Sequence, residues 1–233
     1  MIASLARVEL LLLLRNRSAA LLALVVPLVM GVFVATSVGS GEREWTAALT
    51  LQLVFALGFT VYLTVTTSLT ARRQDLYLKR LRTGAAPDLV VLVGVVLPAV
   101  LLGLAQCALL LGVAFALDAP FPPRPDLLVL GVVAAALGCA AVGVATSGFT
   151  ASAELAQVTT LPYTAAMLGG GLWALSRPDA KPLVLPGGAL ADLVRAAWGG
   201  STDHALLAVG SLLAWAAVGA WVAGRHFRWD RRA

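Results

Sequence analysis

A chain of 233 residues that is 60% hydrophobic and only 12% charged, with a mean hydropathy of +0.90, is not an ordinary water-soluble domain. Its net charge of +5 does not call for nucleic acid, because the basic residues cluster beside apolar blocks, where membrane topology accounts for them. Those blocks run to about 20 residues, which matches a hydrocarbon thickness of roughly 30 Å at helical rise, and they lack the alternation of a membrane barrel. The expected class is an all-α membrane protein. Cys107 and Cys139 both fall inside apolar blocks and read as small core residues. Arginine far outnumbers lysine among alanine, leucine and valine, which hints at a GC-rich bacterial genome and a bacterial cytoplasmic membrane.

Residues 1–17 read as an amphipathic elbow helix in the membrane plane, with Ile2, Leu5, Val8 and Leu12 toward lipid and Arg7, Glu9, Arg15 and Arg17 wet. A cleaved leader is disfavoured, since the following apolar run is long and no convincing A-x-A site ends it. Span one is expected at 18–38 with Pro27 inside it, and span two at 46–70 with Thr60, Thr64 and Thr67 in one stripe at i, i+4 and i+7. The segment 71–88 then carries the densest positive charge, Arg72, Arg73, Lys79, Arg80 and Arg82, the mark of a cytoplasmic loop. It also reads as a short helix: Tyr77, Leu78 and Leu81 share a side, Asp75 stands one turn before Lys79, Gly84 and Pro87 end it, and Asp88 offers an N-cap to the next block.

Span three, 89–117, contains Pro98 and one strongly polar residue, Gln106. The proline-rich stretch 118–126 is an external turn. In span four, 127–150, Gly131, Ala135, Gly138, Gly143 and Gly148 let helix backbones approach closely, which predicts an inner helix. A tight internal turn, 151–157, holds Glu154. Span five, 158–175, has Pro162 near its start and Gly169, Gly170 and Gly171 near its end; Thr160, Tyr163, Thr164 and Met167 share a face. Within the external segment 176–203, Leu190, Leu193, Val194, Ala197 and Trp198 fall at helical spacing with Asp192 and Arg195 on other sides, which predicts a short interfacial helix. Span six, 204–224, ends in Arg225, His226, Arg228, Arg231 and Arg232. With both termini cytoplasmic, twelve of the 17 Lys and Arg residues fall in internal segments, so the bias favours six spans.

No acidic or basic side chain falls deep in an expected span, which disfavours an ion-coupled carrier or proton relay. His204 and His226 sit at the edges of span six, so neither a buried Ser/His pair nor a di-His metal site is expected. A phosphate-cradling G-x-x-x-x-G-K-[ST] is absent: neither lysine, Lys79 or Lys181, follows a glycine. The chain is expected to be no enzyme and to bind no cofactor or metal itself.

The run L-K-R-L-R-T-G at 78–84, followed by A-A-P-D and a glycine-bearing third span, resembles the cytoplasmic loop of ABC-2 type permeases, the membrane subunits of ABC exporters. An elbow ending in R-N-R, a first span with L-V-V-P-L-V-M, and Pro162 followed by Gly169, Gly170, Gly171 and Trp173 extend the resemblance over nearly the whole chain. It implies that Arg72, Arg73, Asp75, Tyr77, Leu78, Lys79, Arg80, Leu81, Arg82 and Gly84 form a coupling helix that docks on a separate ATP-binding subunit, which would hold ATP and magnesium. It also implies a pair of permease chains, alike or different, with spans two and five at their interface. Thr60, Thr64 and Thr67, with Thr160, Tyr163, Thr164 and Met167, would then line a path for a drug, antibiotic or lipid-like cargo. A plainer reading stands beside it: these hydroxyls bond to carbonyls of the preceding turn and hold helices together, and Glu154 is a first-turn charge. The alternative from another class is a membrane scaffold or sensor whose basic loop recruits a soluble protein or anionic lipid.

Overall fold

The computed structural model describes residues 25–37, 41–76, 87–177 and 179–227. The expected elbow helix at 1–17, the start of span one, residues 77–86 of the basic segment and the basic tail from Arg228 lie outside the described residues. Regular structure among the described residues is helical. Helix α1 (Val26–Ser37) is followed by α2 (Glu42–Ala56), which runs through a π-helical stretch (Leu57–Leu63) straight into α3 (Thr64–Gln74). After the basic segment come α4 (Asp88–Ala116), α5 (Pro125–Phe149), the single turn α6 (Ala156–Thr159) and α7 (Leu161–Ser176). A 3₁₀ turn (Lys181–Val184), α8 (Pro186–Ala197) and α9 (Ala205–His226) complete the chain. Among the described residues four helices are long and apolar enough to cross a bilayer: Glu44–Gln74, Asp88–Ala116, Pro125–Phe149 and Ala205–His226.

The α2–α3 rod is the centre of the bundle. Of its most apolar window 78% is buried inside the chain, against 22% for α9, whose Leu206, Leu207, Leu213, Val218 and Trp221 face outward as a lipid-facing helix should. Glu42 and Glu44 open the rod and Arg72 and Arg73 close it, each complementing the helix dipole at its own end. Trp45, Leu49, Leu53, Leu57, Val61, Tyr62, Val65 and Leu69 are buried along it. The π stretch seats against α4 where Gly103 has no side chain; a Cβ there would stand 2.3 Å from Val61 Cγ2. Helix α4 continues through Pro98 without interruption. Asp88 is its first residue rather than its N-cap, because Pro87 occupies the cap position and offers no side-chain hydrogen bond. The Asp88 charge therefore acts on the first turn through the dipole.

Helix α5 is an inner helix, and its glycines show how. Gly131 receives Leu190 and Leu193 of α8, Gly143 lies against Val65 and the Tyr62 carbonyl, and Gly148 meets the end of α9 at His226. From the opposite side Gly219 brings α9 onto α5, where an added Cβ would be 2.7 Å from the Val142 nitrogen. Backbone approach of this kind is how helices associate when lipid removes the hydrophobic drive between them.

The expectation for 186–198 needs correction. Helix α8 does not keep one wet face; it is enclosed by the rest of the chain, with Leu190, Leu193, Val194, Ala197 and Trp198 buried and Asp192 buried with them. Glycines explain the depth: Gly187 sits against the Met167 carbonyl of α7, and Gly170 sits against the Gly188 nitrogen. Trp198 Nε1 donates to the Pro120 carbonyl at 2.7 Å and Arg124 N to that of Ala197 at 3.1 Å, which staples the proline-rich turn onto the end of α8. Trp215 Nε1 of α9 donates to the Val184 carbonyl at 2.9 Å.

Candidate functional site

Helix α3 ends in a turn just before the part of the most basic stretch, 77–86, that lies outside the described residues. Asp75 N donates to the Ala71 carbonyl at 3.0 Å and Leu76 N to that of Arg73 at 3.2 Å, and Leu76 takes a left-handed φ of 56°. Such a residue stops a helix. Of the residues expected in the coupling helix, Arg72 and Arg73 belong to α3 and Asp75 to the turn that ends it, while Tyr77, Leu78, Lys79, Arg80, Leu81, Arg82 and Gly84 lie outside the described residues.

The two arginines differ in placement. Arg72 Nη1 donates to Ser68 Oγ at 2.8 Å on its own helix. Arg73, only 7% exposed, turns inward; Nη2 donates to the Thr150 carbonyl at 2.5 Å and Nη1 to that of Gly148 at 3.4 Å, the last carbonyls of α5. Gln74 Oε1 accepts from Ala153 N at 3.1 Å. In the sequence Arg73 counts only among the charges of the basic segment, since its partners are backbone atoms 75 and 77 residues away.

The proposed path residues fall into two groups. Thr60 is buried and donates to Gln106 Oε1 of α4, while Thr64 bonds to the Phe59 carbonyl at 3.2 Å and Thr67 to that of Leu63 at 2.8 Å. Thr160 is buried and bonds to the Ala156 carbonyl at 2.6 Å. Tyr163 is buried against Tyr62 at 4.6 Å and Trp215 at 5.6 Å between ring centres, with its hydroxyl 3.9 Å from Cys139 Sγ, and Met167 is fully buried. Thr64, Thr67 and Thr164 keep part of their surface. Gln106→Leu is expected to cost about 1 kcal/mol, the size of interhelical hydrogen bonds in membranes. The double variant Thr60→Val with Gln106→Leu should recover most of that in thermal unfolding, because the Thr60 hydroxyl is then removed together with its acceptor.

One buried charge went unnoticed in the sequence. The Asp192 side chain is 1% exposed and its Oδ1 pairs with Arg195 Nη2, while Arg195 Nη1 donates to the Ala174 carbonyl at 3.2 Å. Burial pushes the Asp192 carboxyl above the ordinary carboxylate range, opposed by the charges of Arg195 and His204. The i, i+3 spacing of the pair was the available signal. Glu154 is exposed in the turn before α6, and its carboxyl is held low by hydrogen bonds from Ser152 and its own backbone.

An apolar helical bundle with a basic segment at one end is shared by many membrane proteins, and comparison with known families decides among them. A family model described as ABC-2 type transporter matches residues 2–177, about three quarters of the chain. The chain belongs to the ABC-2 type transporter family. It is thus a multi-pass membrane protein with the transmembrane domain of an ABC transporter permease, a family in which ATP hydrolysis generally resides on a separate subunit. The matched region ends at Arg177, so α8 and α9 lie beyond it. No curated protein and no solved structure matches the chain.

Proposed function

We propose that this ABC-2 chain is the permease subunit of an ATP-driven exporter in a bacterial cytoplasmic membrane, powered by an ATP-binding subunit that grips residues 71–88 from the cytoplasm. The observation that carries the proposal is where that segment is attached. It follows directly on the α2–α3 rod, the most enclosed of the four apolar helices, so a force applied there enters the core of the bundle rather than a peripheral helix. Its basic residues would steer assembly with an acidic rim more than supply affinity. ATP and magnesium would sit on the partner, and two permease chains would make the pore.

Thr64, Thr67 and Thr164, which keep surface, would meet the cargo, with Thr60, Thr160, Tyr163 and Met167 packed behind them. The long helices of the bundle are mostly apolar, which favours a drug, antibiotic or lipid-like cargo over a highly charged one. Reconstitution with the ATP-binding subunit tests this: amphipathic compounds should raise ATPase activity, and Thr64→Leu with Thr67→Leu should raise the half-maximal concentration by about 10-fold, equivalent to 1.4 kcal/mol. Stimulation by charged polysaccharide alone, with no response to amphipathic compounds, would remove the cargo reading.

A further inference from the structure

We infer that Arg73 is a positioning residue of the transport cycle: it locks the start of the basic segment to the turn between α5 and α6, so that a pull on that segment moves α5 with α3. The inference rests on the coupling reading above. A helix leaves its last carbonyls without intrahelical partners and carries partial negative charge there, which is the environment a guanidinium fork suits. At the end of α5 the fork comes from α3, with Nη2 on the Thr150 carbonyl at 2.5 Å and Nη1 on that of Gly148 at 3.4 Å.

Three further contacts gather around this point. Gln74 Oε1 accepts from Ala153 N at 3.1 Å, across the same turn. Thr150 Oγ1 meets Thr159 Oγ1 at 2.8 Å, which straps the turn to α6 at the foot of α7. Phe149 packs at a tilt against the His226 ring at 5.1 Å between centres, which brings in the end of α9. The left-handed residue Leu76 comes immediately after, so Arg73 and Gln74 are the last positions on the rigid rod before the chain turns. Motion arriving from beyond Leu76 reaches the bundle at these two residues, and both are fastened to the 150–153 backbone. A cap that only satisfied carbonyls could come from the local sequence; this one arises 75 and 77 residues away, on the element that bears the coupling segment.

The test uses the complete permease with its ATP-binding subunit in lipid vesicles, followed by amide hydrogen exchange with and without ATP and vanadate. In the wild-type complex, nucleotide is expected to change exchange in both 70–76 and 150–156. In Arg73→Gln the change in 70–76 persists and that in 150–156 is lost; Arg73→Lys, which keeps the charge but not the fork, retains a part of it. Thermal unfolding of each variant separates this from a cap of purely structural value, which would lower stability and leave the nucleotide-dependent difference intact. Should Arg73→Gln not assemble, Arg73→Lys and Gln74→Ala are read in the same way. Wild-type-sized responses at 150–156 in the variants, or a wild-type response confined to 70–76, overturn the inference alone. A wild-type complex with no nucleotide response at 70–76 overturns the coupling reading and this inference with it.

Discussion

Gly187→Ala is expected to abolish the accumulation of folded protein. An added Cβ would stand 1.7 Å from the Met167 carbonyl oxygen and 2.5 Å from its carbon, and both are backbone atoms of α7 that cannot swing aside. Relief would require α8 to move away from α7, yet α8 is walled in by α5 through Gly131 and held at its end by Trp198 and Arg124. The cost should reach about 3 kcal/mol or more, the top of the range for overpacking. Gly169→Ala is the contrast: among the described residues nothing beyond its own turn of helix lies within 4 Å of its added Cβ, and removing a glycine from a helix interior should gain about 0.5–1 kcal/mol. Size-exclusion profiles and thermal unfolding in detergent read both. Equal behaviour of the two variants would mean that α7 and α8 are not in backbone contact.

The second large effect concerns the pair inside α8. Arg195→Met leaves the Asp192 carboxylate buried without its cation, and removal of one partner from a buried pair costs about 3–5 kcal/mol. Asp192→Asn should cost far less, because Arg195 is 26% exposed and keeps its bond to the Ala174 carbonyl. The sign with pH follows from the raised carboxyl. A group whose folded pKa is raised contributes stability that is fully present below the unfolded carboxylate range and lost as pH rises through the shifted value. Stability of Arg195→Met should therefore fall more steeply than wild type as pH rises through that window, and acid should rescue it in part. A flat pH profile in that variant would place Asp192 in contact with water.

How much of this was readable from the residues depends on what kind of contact each made. The long apolar blocks marked the four long apolar helices and the small-residue spacing of 127–150 the inner one, because a glycine that admits a neighbour is visible as a glycine. The depth of α8 was not legible. Leu190, Leu193 and Val194 at helical spacing describe a helix on a membrane surface as well as one sealed inside, and only the Gly170 and Gly187 contacts with particular backbone atoms separate the two. The pair of Asp192 and Arg195 looked wet for the same reason. The stop at Leu76 depends on a left-handed φ that leucine does not advertise. Arg73 sought carbonyls, which every residue carries, so no pattern pointed to Gly148 and Thr150.

The proposed coupling puts a separate ATPase on the segment between α3 and α4. Its most direct test replaces Leu78, Arg80 and Leu81 together with alanine and measures ATP-dependent efflux and co-purification of the ATP-binding subunit from the same membranes. Loss of efflux by at least about 10-fold, with the permease still folded, is the predicted result, since 1.4 kcal/mol of lost coupling suffices for it. Efflux and co-purification at wild-type levels in that triple variant would contradict the account.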